Sequence, residues 1–152
     1  PVPYHNAQEW DHIVAANGTL YNGIQPSADS LSMACHYIKL FACQLNEQNP
    51  RVKDLDRIVT LCRRRGWQLV FNILAENVDQ IDSLCGPDLI YLLEQNTQYI
   101  ANRYEPQGVI VVNNLKEVRD CDFRDRDFPT EHYKQTGRLT IAKNVANAIH
   151  GR

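Results

Sequence analysis

Residues 109–114 read Val-Ile-Val-Val-Asn-Asn, and the predicted fold rests on this segment. Four consecutive β-branched residues, followed directly by two amides, are typical of a strand that is covered on both faces. Residues 67–74 read Trp-Gln-Leu-Val-Phe-Asn-Ile-Leu and predict a second short, buried strand. Strands of this kind occur in parallel sheets, because helices then cover both faces of the sheet.

Helical patterns precede, separate and follow these strands. Apolar residues at helical spacing predict helices at about residues 28–48, 50–65, 86–103 and 138–150. Helices that alternate with strands indicate βαβ units with right-handed crossovers. The predicted fold class is therefore α/β, with three layers and a small parallel sheet flanked by helices. Two strands make a poor sheet, so a short third strand is considered at residues 12–21. The alternatives are a partial domain whose other strands lie upstream, or a small sheet that helices shield heavily.

The composition describes one ordinary globular domain. The 152 residues are 43% hydrophobic and 22% charged, with a net charge of -2, so a general nucleic-acid-binding surface is not expected. Residues 1–28 show little periodicity and are predicted to be irregular. The chain starts without Met and without a signal-peptide pattern, so residues 1–152 are expected to form a single domain at the C-terminal end of a longer protein. A membrane anchor would then lie outside this chain, and the oligomeric state is left open.

The cysteines and histidines show no pattern of metal binding. There is no Cys-x-x-Cys pair and no zinc spacing, and neither a metal nor another cofactor is predicted. Cys35, Cys43 and Cys62 fall on predicted helices beside apolar residues and are expected to be small buried hydrophobes. An odd number of cysteines fits a reduced chain better than a disulfide scaffold.

Three consecutive arginines, Arg63 to Arg65, end the second predicted helix just before Gly66. Cations are favoured in the last turn of a helix because they oppose the negative end of its dipole. The same run of arginines also suits a phosphate-binding patch, and the helix-end interpretation is preferred because of its placement.

Polar side chains follow both predicted strands at the point where each strand ends. Glu76 and Asn77 follow the first strand, and Asn113 and Asn114 follow the second. In an open parallel sheet, ligands bind beyond the carboxyl ends of the strands, so these four residues are candidates for substrate binding. The loop after the second strand leads to a histidine beside a carboxylate, Glu131-His132, a pair suited to general base catalysis.

Residues 128–138 read Phe-Pro-Thr-Glu-His-Tyr-Lys-Gln-Thr-Gly-Arg and are followed by a helix rich in Ile and Ala. This block resembles the last motif of SGNH/GDSL-type hydrolases, in which a catalytic histidine in a loop precedes a glycine that opens the C-terminal helix. Residues 55–77 resemble the later half of SGNH-like families related to DltD, the D-alanyl transfer protein of teichoic-acid modification. The resemblance covers about residues 50–150 and implies a flavodoxin-like or SGNH-like sheet.

The resemblance implies that His132 is the catalytic base. The acid of the family stands three residues before the histidine, where this chain has Pro129, so Glu131 and Asp127 both remain candidates for the carboxylate. The chain contains no Gly-Asp-Ser motif, which carries the nucleophile in the family. Asn77 is the candidate for the oxyanion amide by position alone.

These features predict the C-terminal portion of an SGNH-like serine ester hydrolase or acyltransferase. The expected substrate is a small-molecule or glycan ester of the cell envelope, and the expected location is the envelope. The 152 residues alone are expected to lack esterase activity, because the serine would lie upstream. The alternative is a non-catalytic binding or assembly module that retains an SGNH-like shell. A nucleotide-binding domain is disfavoured, because neither a Gly-x-Gly-x-x-Gly nor a Walker loop is present.

Overall fold

Helices make up most of the architecture, and they surround two short strands. The computed structural model describes residues 28–125 and 129–151. The helices and strands follow in the order α1 (Ala28–Phe41), α2 (Pro50–Arg65), β1 (Val70–Ile73), α3 (Val78–Cys85), α4 (Pro87–Tyr104), β2 (Ile110–Asn113) and α5 (Gln135–His150). Short 3₁₀ helices lie at Glu105–Gln107 and Asp120–Asp122. No helix within 28–125 or 129–151 is both long and apolar enough to cross a bilayer.

The two strands are parallel neighbours, and this confirms the predicted α/β fold with a small parallel sheet flanked by helices. Val70 lies opposite Ile110, and the register continues to Ile73 opposite Asn113. Both strands lie within or next to the predicted segments. The strand considered at residues 12–21 lies outside the described residues.

The two faces of the sheet are covered by different helices. Phe71 and Val111 pack against a core formed by side chains of α2 and α4 together with Val109. On the opposite face, Asn144 of α5 donates a hydrogen bond to the side chain of Asn114, just after β2. A further core joins α1, α3 and α4 around the fully buried side chains of Ile81 and Leu89. Helices thus lie on both faces of the sheet, as its apolar strands require.

The first predicted helix is too long, since α1 ends at Phe41 and not near residue 48. The reason is the side chain of Asn96 on α4, which binds the backbone of the following segment. Its Oδ1 accepts from the N–H of Leu45 at 2.8 Å, and its Nδ2 donates to the carbonyl of Cys43 at 2.7 Å. Cys43 lies in this segment and is exposed, so the prediction that it is buried is wrong.

One helix was missed, and one boundary differs from the prediction. The missed helix is α3. The side chain of Asn77 caps its start by accepting a hydrogen bond from the N–H of Gln80 at 3.2 Å, and the helix ends at Gly86, which has a φ of 82°. The last helix begins at Gln135, three residues earlier than expected. The end of α2 was predicted correctly, because Gly66 adopts the left-handed conformation there, with φ of 66°.

An ion pair joins α2 to α4. Both oxygens of Asp56 accept hydrogen bonds from the guanidinium of Arg103, at 2.9 and 2.8 Å. The hydroxyl of Tyr104 donates to the same carboxylate at 2.9 Å. The hydrogen bonds from Arg103 hold the pKa of Asp56 below its ordinary value. The negative charge of Asp56 is therefore balanced by the positive charge of Arg103.

Candidate functional site

The predicted polar residues at the carboxyl ends of the strands have separate roles. Asn113 is exposed, and its Oδ1 accepts from the N–H of Leu115 at 3.0 Å. Asn77 is buried, caps α3 through Oδ1, and donates from Nδ2 to the carboxylate of Asp120 at 2.8 Å. Both ends of the Asn77 amide therefore bind other residues of the chain.

Asn114 forms the centre of a chain of three amides. Its side chain is fully buried, donates to Asn72 Oδ1 at 2.8 Å and accepts from Asn144 Nδ2 at 2.7 Å. Its backbone N–H also donates to the carbonyl of Ile73 at 3.0 Å. A buried amide must be hydrogen-bonded, and these partners come from β1 and α5. Asn114 therefore connects both strands to the last helix.

Glu76 is one of the residues that line a cavity of about 270 Å³ with mostly apolar walls, which include Ile73, Leu93 and Leu115. Its side chain, which ends in a carboxyl group, is partly buried. No side chain in the described part of the protein hydrogen-bonds to this carboxyl group. Burial, and secondly the negative charge of Glu131, raise the pKa of Glu76 to about 8. Glu76 is therefore mostly protonated at neutral pH.

A short antiparallel pairing positions the segment that carries His132, residues 129–134, which is called the histidine loop below. Phe123 forms a bridge with Tyr133, and their rings meet edge to face with centroids 5.3 Å apart. The N–H of Arg124 donates to the carbonyl of His132 at 2.7 Å, and the N–H of Lys134 donates to Asp122 at 2.7 Å. Residues 122–124 and 132–134 are thus fixed side by side.

Tyr133 attaches this pairing to the sheet. Its side chain is buried, and its hydroxyl donates to the carbonyl of Ala75 at 2.7 Å. Gly137, in the first turn of α5, lies so close that a Cβ there would stand 3.0 Å from side-chain atoms of both Tyr133 and Val118. The glycine of the predicted block therefore allows α5 to pack tightly against the histidine loop.

His132 and Asp125 face each other across this pairing. The Nδ1 of His132 is hydrogen-bonded to Oδ2 of Asp125. The two side chains are 67% and 44% exposed. Within residues 28–125 and 129–151, the other ring nitrogen of His132, Nε2, has no hydrogen-bond partner. A carboxylate at Nδ1 favours the tautomer in which Nε2 is free to accept a proton.

The carboxylate beside His132 is thus one that the sequence did not single out. Of the two candidates, Asp127 lies outside the described residues. Glu131 is exposed, and its charge acts on Glu76 and Tyr133. Asp125 stands seven residues before His132. The pairing of Phe123 with Tyr133 brings the two residues together, and this pairing was the only signal that could have indicated their contact.

The hydrogen-bonded pair of His132 and Asp125 is an arrangement that can exchange protons with a ligand. No group of three or more His, Cys, Asp or Glu side chains among the residues described could hold a metal ion. Comparison of the chain with models of protein families, with curated proteins and with solved structures finds no match. The functional proposal therefore depends on the geometry of the site.

Proposed function

We propose that His132 and Asp125 form the general-base arm of an SGNH-like serine ester hydrolase or acyltransferase. The supporting observation is the hydrogen bond from Nδ1 of His132 to the Asp125 carboxylate, which leaves Nε2 open. This is the arrangement that a histidine needs in order to take a proton from a hydroxyl nucleophile. Cell-envelope glycans and small-molecule esters are the proposed substrates.

The proposed mechanism gives each group one role. Nε2 of His132 removes the proton of a serine hydroxyl while the serine oxygen attacks the ester carbonyl. The carboxylate of Asp125 keeps the ring in place and stabilises the imidazolium that forms, which then protonates the leaving alcohol. Water or an acceptor alcohol releases the acyl group by the same steps in reverse order.

The serine of this mechanism lies outside the described residues. Ser30, Ser32 and Ser83 lie within α1 and α3, and a nucleophilic serine stands at a strand-to-helix turn in enzymes of this kind. The nucleophile is therefore proposed to come from another segment of the protein.

The cavity beside Glu76 is proposed to receive an apolar part of the substrate. Tyr133 follows His132 directly, and its hydroxyl binds Ala75, the residue before Glu76. The residue after His132 is thus hydrogen-bonded to the residue before Glu76, which lines the cavity. The protonated carboxyl group of Glu76 can donate a hydrogen bond to a carbonyl oxygen of a bound ester.

Replacing single carboxylates by amides tests this proposal. The experiment uses the longest natural form of the protein, called the full-length protein below. Asp125→Asn is expected to lower kcat/KM for ester hydrolysis about 10²-fold or more, because an amide does not stabilise the imidazolium. Asp127→Asn and Glu131→Gln are matched controls in the same loop, and each is expected to change kcat/KM less than about threefold. Thermal unfolding of each variant checks that the fold is kept. A large loss in Asp127→Asn together with normal activity in Asp125→Asn would assign the role to Asp127.

A non-catalytic binding or assembly module with an SGNH-like shell is the second candidate function. The observation that favours it is the exposure of the pair, since 67% of the His132 side chain is open to solvent. Catalytic sites usually exclude water from the reacting groups. A folded full-length protein that turns over no ester would support this second function.

A further inference from the structure

The outer face of α2 exposes large apolar side chains near its C-terminal end. Ile58 and Leu61 are 44% and 49% exposed and stand three residues apart, on the side of the helix opposite the buried Val59. Trp67, just after the Gly66 cap, is 60% exposed. Single exposed hydrophobic residues need no explanation, but three that share one end of a helix indicate a surface with a partner.

Two arginines lie on the same side of α2 as these apolar side chains. Arg64 and Arg65 are exposed, and neither forms an ion pair with any residue that the structure describes. Arg65 stands four residues after Leu61 and seven after Ile58, and its guanidinium carbon lies 5.9 Å from the centroid of the Trp67 ring. Arg64 and Leu61 line the same surface depression. These side chains form one surface, called the basic–apolar face below, which consists of Ile58, Leu61, Arg64, Arg65 and Trp67.

The acidic residues of α2 do not neutralise this face. Asp54 pairs with Arg57 at 2.8 Å, and Asp56 pairs with Arg103 at 2.8 Å. Interaction with the helix dipole explains cations in the last turn, but it gives no reason for exposed Ile58, Leu61 and Trp67 beside them. The surface therefore combines positive charge with apolar groups.

We propose that the basic–apolar face docks the protein onto the surface of an anionic lipid bilayer. Arginines bind lipid phosphates, while indole and aliphatic side chains enter the boundary between head groups and acyl chains. A nucleic acid or an acidic protein surface would match the arginines alone, and the aliphatic pair favours the bilayer. This inference is independent of the proposed ester chemistry.

Vesicle binding tests the proposal with the whole 152-residue chain. The chain has two tryptophans, so Trp10→Phe leaves Trp67 as the only indole. Sedimentation with vesicles that contain about 30% phosphatidylglycerol in phosphatidylcholine should capture the protein, and the emission of Trp67 should shift to shorter wavelength. Vesicles of phosphatidylcholine alone should bind it much more weakly.

Variants separate the contributions to binding. Replacing Arg64 and Arg65 by Gln should weaken binding about 25-fold, because each basic residue near an anionic surface contributes about fivefold. Trp67→Ser should weaken binding about 10-fold and leaves the fold intact, since the side chain is exposed. The matched control is Arg138→Gln with Leu139→Ser on α5, an exposed arginine and leucine away from this face, and it should bind like the unaltered chain.

Three outcomes would overturn the proposal. The first is absence of binding to the phosphatidylglycerol vesicles. The second is vesicle binding that leaves the emission of Trp67 unchanged and that soluble poly-glutamate abolishes. The face would then be a general site for anions. Equal loss of binding in the α5 control would likewise remove the assignment to α2.

Discussion

Replacing His132 by alanine in the full-length protein is expected to lower kcat/KM for a chromogenic ester by about 10³- to 10⁴-fold. In the proposed mechanism the imidazole takes the proton of the nucleophile, and no other described side chain hydrogen-bonds to Asp125. The loss should appear mainly in kcat, because proton transfer occurs in the transition state and contributes little to substrate binding. Steady-state kinetics with a p-nitrophenyl ester measures both constants.

The control for this substitution is His150→Ala. His150 is an exposed histidine in the last turn of α5, and its replacement should leave kcat and KM unchanged. Thermal unfolding should be similar for the two variants and the unaltered protein, since both side chains are exposed. Unchanged turnover in His132→Ala would rule out the proposed role of this histidine.

Replacing Glu76 by glutamine is expected to raise the free energy of unfolding at alkaline pH by about 2 to 4 kcal/mol. Burial and the charge of Glu131 raise the pKa of Glu76 from 4.5 to about 8 in the folded protein. Between these two values the unfolded chain has released a proton that the folded chain still holds. Stability therefore falls as the pH rises from about 5 to about 8, and the loss is complete once the folded form also ionises.

Glutamine removes this dependence because it carries no ionisable proton. Urea unfolding at about pH 5, 7 and 9 should show Glu76→Gln and the unaltered chain close together at the lowest pH and furthest apart at the highest. Glu131→Gln should give a smaller effect in the same direction, since it removes only the second cause of the raised pKa. Parallel curves for Glu76→Gln and the unaltered chain would show that Glu76 ionises normally in the fold.

Local sequence signals were sufficient for much of the fold. The β-branched run of β2 and the Gly66 stop of α2 are decided by neighbours in the chain, and both were predicted. The short helix α3 was missed although its signals are local: Asn77 is a cap residue, and Val78, Ile81, Leu84 and Cys85 stand at helical spacing. A pattern of eight residues is only about two turns, which is short for a helix prediction, and the packing of Ile81 in the core shared with α1 and α4 stabilises it.

The candidate site could be predicted only in part, because its partners are distant in sequence. The position of His132 in a loop before the last helix followed from the motif. The contact with Asp125 depends on the Phe123–Tyr133 bridge, and the buried amide of Asn114 depends on Asn72 and Asn144, which are 42 and 30 residues away. From the sequence alone, five carboxylates lie within the twelve residues before His132, and nothing indicates which of them binds the ring.

Nitrogen-15 NMR of the imidazole rings in the 152-residue chain tests whether Asp125 binds Nδ1 of His132. In a neutral imidazole ring, the two ring nitrogens of each tautomer have different chemical shifts. The structure predicts that His132 carries its proton on Nδ1, and that Asp125→Asn shifts the population towards the Nε2-protonated form. A proton on Nε2 in the unaltered chain, with no change in Asp125→Asn, would contradict the pairing and the general-base role derived from it.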